Sequence, residues 1–172
     1  MSVARLGAGV AASGGALYVV GGYDGQNRWN TAERYQPDTN TWHPLAPMNT
    51  MRSGLGLVSL NSYLYAIGGY DGQNQLCTVE CYNIGRNIWE PRAPMKHCRS
   101  ALGVAVHQGR IYVFGGFNQH GFLSSVECYC PEKNEWTPVT DMPNGLSGMG
   151  ITVTMEPCPG SLPEQADEDE AM

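Results

Sequence analysis

The chain has 172 residues, of which 42% are hydrophobic and only 15% are charged, and it contains 22 glycines and 11 prolines. This composition disfavours a helical bundle or coiled coil and is typical of an all-β chain with many tight turns. The net charge of −6 arises in residues 156–172, which hold six acids and no Lys or Arg, so the neutral residues 1–155 offer no basic surface for a nucleic acid.

A repeat of 47 residues runs along the chain. It carries a Gly pair, a Tyr, a Glu and a Trp, and the Trp residues are Trp42, Trp89 and Trp136. The repeat divides the chain into units at 1–47, 48–94 and 95–141, followed by a C-terminal segment at 142–158. Residues 159–172 form an acidic tail with a single Leu, and we expect this tail to be disordered because it has too little apolar surface to bury.

Each unit reads as four short strands, which the second unit shows best. The predicted strands cover 53–60, 63–69, 77–83 and a short segment around Ile88-Trp89, and turn residues separate them. Four strands in a unit of about 50 residues are typical of a kelch-type β-propeller blade. The predicted fold is therefore all-β, with three four-stranded blades plus one extra strand.

One Arg and one Glu recur in register in every unit, as in Arg52 and Glu80 of the second. A buried charge needs partners, and a role repeated in every blade is usually a scaffold role. We interpret the series as structural ion pairs or as ligands of the backbone.

The order of strands predicts which face of the blades binds a partner. In an up-and-down blade, the loop between the second and third strands lies on the same face as the linker to the next blade. This face would present serines in register, one Arg and several aromatic side chains, which suit a peptide that bears carboxylates. The predicted face includes Tyr23, Arg28, Ser53, Tyr70, Gln75, Ser100, Phe117, Phe122 and Ser147.

The six cysteines raise the question of disulfides or a metal site. Cys77 with Cys81, and Cys128 with Cys130, lie in apolar, strand-like stretches rather than in the turns that hold zinc. The first ten residues are apolar but short and interrupted by Arg5, so we expect no signal peptide. We therefore expect reduced, half-buried thiols, no metal and no cofactor.

The Gly-Gly, Tyr and Trp pattern resembles kelch repeats, and several stretches are similar to the kelch substrate adaptors of the antioxidant response. These stretches are GGYDGQNQL (68–76), APMKHCRSALG (93–103), VHQGRIYV (106–113) and TVTMEPC (152–158). The resemblance implies an incomplete six-bladed propeller, of which this chain supplies the last three blades. It also implies that 146–154 is a closing strand, the innermost strand of the first blade, and that the BTB domain through which such adaptors recruit a cullin lies outside this chain.

The same resemblance implies the ligand and the residues that grip it. The ligand would be an acidic, Glu-Thr-Gly-Glu-like degron of a leucine-zipper transcription factor. The matching residues are Arg28, Ser53, Tyr70, Gln75, Ser100, Ala101, Phe122 and Ser147. Phe117 stands where these adaptors have Tyr, and Cys158 matches a cysteine implicated in electrophile sensing.

The leading hypothesis is thus a substrate-recognition module of a cullin-type ubiquitin-ligase adaptor, acting in the cytoplasm and also in the nucleus. The expected partners are the degron-bearing transcription factor and, to complete the ring, the remaining blades or a second copy. The alternative is a structural kelch module that binds actin or another cytoskeletal protein. An enzyme is disfavoured, because only His97 and His120 fall on the predicted face and no carboxylates converge there.

Overall fold

The computed structural model describes residues 1–153, which form β-strands and one short 3-10 turn at Pro37–Thr39. Three four-stranded antiparallel sheets follow one another along the chain. The first sheet contains β1 (Gly9–Ser13), β2 (Ala16–Val20), β3 (Ala32–Gln36) and β4 (Thr41–Leu45); the second contains β5 (Gly56–Leu60), β6 (Tyr63–Ile67), β7 (Val79–Asn83) and β8 (Ile88–Arg92); the third contains β9 (Gly103–His107), β10 (Arg110–Phe114), β13 (Val126–Cys130) and β14 (Glu135–Val139). A two-stranded ribbon, β11 (Phe117–Asn118) with β12 (Gly121–Phe122), lies in the loop between β10 and β13.

The all-β, kelch-type architecture predicted from the repeat is confirmed. In the second unit β5 and β7 start later than predicted, β6 ends earlier, and β8 extends to Arg92. The later start of β5 reflects Ser53, which forms an isolated bridge to Tyr70 outside the sheet. The first strands of adjacent sheets contact each other, β1 with β5 and β5 with β9. No helix in residues 1–153 is long and apolar enough to cross a membrane.

The hydrophobic core consists of two layers, one between each pair of adjacent sheets. The Trp of each unit lies beside the Tyr of the preceding strand, and the rings of Tyr82 and Trp89 have centroids 5.0 Å apart. The indole Nε1 of Trp89 donates to the carbonyl of Ala46 at 2.8 Å, and Trp136 donates likewise to Ala93. Trp89 and Trp136 therefore each tie their own sheet to the linker that follows the preceding sheet.

The recurring Arg of each linker forms a buried ion pair with the recurring Glu of the sheet that follows. Arg52 is fully buried and its Nη2 lies 2.9 Å from Oε1 of Glu80. Arg52 also donates to the carbonyl oxygens of Gly68 and Thr78, while Glu80 accepts from the N–H groups of Asn49 and Thr50. The structural interpretation of this series is confirmed, and both proposed roles occur together, because the pair satisfies backbone groups as well as each other.

The cysteines differ from the expectation of reduced thiols, because Cys77 and Cys98 form a disulfide. The two residues lie on backbone segments that run side by side, since Met95 donates its N–H to Cys77 and Arg99 donates its N–H to Leu76. This contact brings their Cα atoms to 3.9 Å. Cys81 and Cys128 remain free and buried.

The predicted closing strand does not form a strand over residues 146–153. The segment nevertheless occupies the position that the 47-residue repeat predicts for it beside the third sheet. The N–H of Gly148 donates to Ala101, and Ile151 packs on Gly103 as Val104 packs on Gly56. The described part of the chain offers it no neighbouring second strand with which to pair. The last residue of that predicted strand, Cys158 and the predicted tail at 159–172 lie outside the described residues.

Candidate peptide-binding face

The loops and linkers on one side of the three sheets are joined by short β-bridges, as the strand order predicts. We call this surface the linker face; it consists of the loops 23–29, 70–76 and 117–123 and the linkers before each sheet. Each linker pairs with the following loop, through Leu6 with Tyr23, Ser53 with Tyr70 and Ser100 with Phe117. Each loop also pairs across itself, through Tyr23 with Arg28, Tyr70 with Gln75 and Phe117 with Phe122.

A chain of backbone hydrogen bonds crosses this face from one linker to the next. Gly54 donates to Gly7, Ala101 donates to Gly54, and Gly148 donates to Ala101, at 2.7, 2.7 and 2.8 Å. All four residues have positive φ, and Ala101 alone of them carries a side chain, at φ 51°. A left-handed Ala costs free energy that glycine does not, so position 101 holds a strained methyl group in the middle of the face.

Arg28 is held between two tyrosines. Its guanidinium carbon lies 4.7 Å from the ring centroid of Tyr23 and 4.7 Å from that of Tyr70, within the range of cation–π attraction. Its Nε donates to Oγ of Ser53 at 3.1 Å. Within the described residues Nη1 and Nη2 have no protein acceptor, which leaves the bidentate side of the guanidinium available to a carboxylate.

Both tyrosines are fixed by their own turns. The hydroxyl of Tyr23 donates to the carbonyl of Gly25, and that of Tyr70 donates to Gly72. Tyr23 is predicted on this face from the sequence but not among the peptide-binding residues. The repeated Tyr-Asp-Gly turn at 23–25 and 70–72 was the signal that could have shown it.

The carboxylates of the two turns are occupied locally. Hydrogen bonds from the N–H groups of Asn27 and Gln26 lower the pKa of Asp24, and those from Asn74 and Gln73 lower the pKa of Asp71. The nearby positive charge of Arg28 lowers the pKa of Asp71 further. Both carboxylates stay ionised and accept hydrogen bonds from the N–H groups of their own turns. Neither therefore resembles a general acid or base.

The predicted site residues fall into two groups on the linker face. Ser53, Tyr70, Gln75, Ser100 and Ala101 line one open groove of about 440 Å³, and Arg28 reaches it through Ser53 and Tyr70. Phe122 pairs with Phe117 at the third loop, with ring centroids 5.6 Å apart. Ser147 follows Leu146, whose N–H donates to Leu123 directly after Phe122. Their role in binding stays a prediction.

The histidines on this side do not form a metal centre. Nδ1 of His97 lies 3.3 Å from Oε1 of Glu127, and His120 contacts Gln119. Residues 1–153 contain no cluster of three or more His, Cys, Asp or Glu side chains that could hold a metal ion.

Comparison with known proteins identifies the repeat. The Kelch motif matches residues 4–49, 51–96 and 98–143. Human Kelch-like protein 4 and human Influenza virus NS1A-binding protein are each 44% identical over 52 residues, which is 30% of this chain and 7% and 8% of theirs. Mouse Kelch-like protein 35 is 50% identical over 34 residues, which is 20% of this chain and 6% of that protein.

The fold has a counterpart among solved structures. The structure titled "Structure of YjhT" superposes with a TM-score of 0.76 at 18% identity, covering 86% of this chain and 55% of that one. That identity supports the fold alone. With three Kelch motifs matched end to end over most of its length, the chain belongs to the kelch-repeat family.

Proposed function

We propose that this chain is a protein-binding module whose linker face recognises an acidic peptide segment. The observation that carries the proposal is the clamped Arg28, which presents an unpaired guanidinium edge beside a groove lined with neutral hydrogen-bonding groups. Such an edge matches the two oxygens of a carboxylate. The similarity to Kelch-like proteins supports a binding role rather than catalysis.

A finer assignment rests on the sequence resemblance. The residues of the linker face match those with which the Kelch-like ECH-associated adaptor is expected to grip an acidic degron. We therefore propose that the module serves a cullin-type ubiquitin-ligase adaptor of the antioxidant response, in the cytoplasm and nucleus. The partner would be the degron-bearing transcription factor, and cullin would be reached only through a separate BTB domain.

The test is calorimetric titration of a Glu-Thr-Gly-Glu peptide and of the same peptide with both Glu replaced by Gln. A hydrogen bond to a charged group contributes roughly 1.5–3 kcal/mol, so Arg28→Ala should weaken the acidic peptide by about 10- to 100-fold. Arg86→Ala is the matched control, because its side chain is 65% exposed and lies in the turn between β7 and β8. Equal binding of the two peptides would overturn the proposal, and co-sedimentation with actin would favour a cytoskeletal role instead.

A further inference from the structure

We propose that the linker face carries a second anion-binding site beside the groove, which takes a carboxylate from peptide residues that flank the segment held by Arg28. The site is a cleft between the loop 70–76, the linker before the third sheet and the loop 117–123, and we call it the cationic cleft. This inference rests on the proposed function and extends it from one acidic contact to two.

The cationic cleft has a volume of about 490 Å³ and is continuous with the groove, because Gln75 and Gln119 line both. Three of its side chains carry a positive charge or gain one on protonation, namely Lys96, His97 and His120. Among residues 1–153, no Asp or Glu lines it. A cleft lined by charge of one sign concentrates ions of the other sign, and the amides add neutral donors. The lining therefore favours an anion.

The third loop lacks the acid that the other two loops carry at the same repeat position. Asp24 and Asp71 are replaced there by Asn118. In each loop the side-chain Oδ1 accepts from a backbone N–H two residues further on, and in the third loop that donor is His120, at 2.9 Å. The amide therefore keeps the turn and removes its negative charge, which the turn by itself does not require.

The linker before the third sheet has cations where the preceding linker has neutral side chains. Lys96 and His97 stand at the repeat positions of Asn49 and Thr50. The backbone N–H groups of Lys96 and His97 donate to the buried Glu127, as those of Asn49 and Thr50 donate to the Glu of their own unit. The scaffold contact is thus made by the backbone, and within the described residues the ammonium of Lys96 has no protein partner.

Internal contacts hold the cationic cleft in shape before a ligand arrives. Asn118 is only 9% exposed, and its Nδ2 donates to the carbonyl of Cys98 at 3.3 Å while its Oδ1 accepts from His120. The disulfide between Cys77 and Cys98 ties the linker to the end of the second loop. Because the walls are already fixed, less conformational entropy is lost when an anion binds.

The two histidines make the positive charge of the cleft depend on pH. Oε1 of Glu127 lies 3.3 Å from Nδ1 of His97 and 2.7 Å from Nη2 of Arg99. Because Arg99 and Glu127 compensate each other, a proton on His97 adds net positive charge beside Lys96. His120 contacts the amide of its neighbour Gln119. Histidine changes charge between about pH 5 and 8, so anion binding in the cleft should strengthen as the pH falls through this range.

Two carboxylates belong to segments next to the cleft. Asp71 of the second loop accepts from the N–H groups of Gln73 and Asn74. Asp141 follows the third sheet, where its charge acts on Arg99. Carboxylic acids titrate below about pH 6, and Cys98 is held in the disulfide. The change in charge between neutral and mildly acidic pH therefore falls on the histidines.

The experiment is calorimetric titration of the 172-residue chain with extended peptides. The core peptide Glu-Thr-Gly-Glu, with blocked ends, is lengthened by Glu-Glu-Gly before it or by Gly-Glu-Glu after it, and the tighter binder is carried forward. Its matched form has Gln in place of the two added Glu. Both forms are titrated into the parent chain, Lys96→Gln, His120→Gln and the double variant, and thermal melts verify folding. Lys133→Gln is the control, because it makes the same change of charge in the exposed turn between β13 and β14.

The proposal expects the added acids to be read by the cleft and the core acids by Arg28. At about pH 6 the parent chain should bind the Glu extension about 3- to 10-fold more tightly than the Gln extension. The double variant should lose most of this advantage, whereas Lys133→Gln should keep it. The advantage should shrink at about pH 8, and less so in His120→Gln. Arg28→Ala should weaken both extended forms by a similar factor, because the two sites act independently.

The outcomes separate this inference from the proposed function. If Arg28→Ala weakens the core peptide but the Glu and Gln extensions bind the parent chain equally, the cationic cleft is wrong and the proposed function stands. An advantage that Lys133→Gln lowers as much as the double variant does would also overturn the cleft, because net charge would then explain it. If Arg28→Ala has no effect on the core peptide, the proposed function fails and this inference fails with it.

Discussion

At the scale of single residues, the buried Arg–Glu pairs are the most costly groups to disturb. Burial lowers the pKa of Arg52, and the hydrogen bond and charge of Glu80, together with the charge of Asp71, act against that effect. Removing one partner of a buried pair leaves the other charge without compensation. The three pairs, Arg5 with Glu33, Arg52 with Glu80 and Arg99 with Glu127, therefore make each sheet intolerant of substitution at these positions.

We predict that Arg52→Ala lowers the free energy of unfolding by about 3–5 kcal/mol, as measured by urea denaturation. Any loss of peptide binding should follow from that destabilisation. The control is Arg86→Ala, whose exposed partner Glu90 lies 3.7 Å away and whose loss should cost less than about 1 kcal/mol. An Arg52→Ala chain that melts like the parent but fails to bind would assign Arg52 to the binding site.

The contribution of the Arg5–Glu33 pair to folding stability depends on pH through the ionisation of Glu33. Burial acts to raise its pKa, but hydrogen bonds from Arg5 and Ser2 outweigh it and hold the pKa below the ordinary value of 4.5. Since the folded pKa is lowered, the stabilisation is complete above pH 4.5 and is lost as the pH falls through the folded pKa.

The measurement is urea unfolding of the parent chain and of Glu33→Gln at neutral pH and at several values below pH 4.5. The variant should be less stable at neutral pH, and the difference between the two chains should shrink as the solution becomes more acidic. A difference that is constant across this range would show that ionisation of Glu33 contributes nothing to folding.

At the scale of the elements, the glycine that ends each second strand fixes the approach of the next linker. Gly68 has φ +61° and an added Cβ would lie 2.6 Å from the carbonyl oxygen of Arg99. Gly14, in the turn between β1 and β2, has φ +55° but nothing within 4 Å. The two positions share the left-handed backbone and differ in crowding.

We predict that Gly14→Ala costs about 1–2 kcal/mol from backbone strain alone, whereas Gly68→Ala costs clearly more because the linker carrying Arg99 must also shift. Thermal melts and urea unfolding of both variants provide the comparison. Equal losses in the two variants would mean that the linker is free to move and that the close approach contributes little.

Some features of the fold and of the candidate site could be predicted from the sequence, and others could not. The strands, the Arg52–Glu80 pair and the side of the loops follow from the 47-residue period, because position in a repeat determines position in a sheet. The Cys77–Cys98 disulfide breaks that period and depends on contact between two separate segments. The clamp on Arg28 was likewise missed, because it joins loops of two different sheets.

At the scale of the whole molecule, three sheets leave two sheet faces without a neighbour. On the first sheet, Met1, Val10, Leu17 and Trp42 are 54, 57, 41 and 36% exposed, whereas their equivalents on the second sheet, Met48, Leu57, Leu64 and Trp89, are 1, 5, 0 and 7% exposed. On the third sheet, Tyr112, Phe114, Val126 and Val139 line an open groove of about 550 Å³.

These two open faces are the two sides of an interface that already occurs twice inside the molecule. Faces of this kind associate head to tail, closing into a ring or growing into a filament. Propellers have about four to eight blades, and six is the multiple of three in that range. Two copies would therefore close a ring, in which β1 of one copy replaces the segment around Ile151 on Gly103 of the other.

We predict that the 172-residue chain associates in solution through its open faces, because exposed apolar patches of this size drive association. Light scattering after size exclusion at low micromolar concentration should give the mass of a dimer. Replacing Val10, Leu17 and Trp42 together by Ser should return the mass to that of a monomer, and deleting 149–172 should favour the dimer by freeing Gly103. Phe122→Ser, which changes an even more exposed apolar residue but on the linker face, should leave the mass unaltered. A parent chain that stays monomeric at every concentration and melts cooperatively would show that the open faces are stable in water.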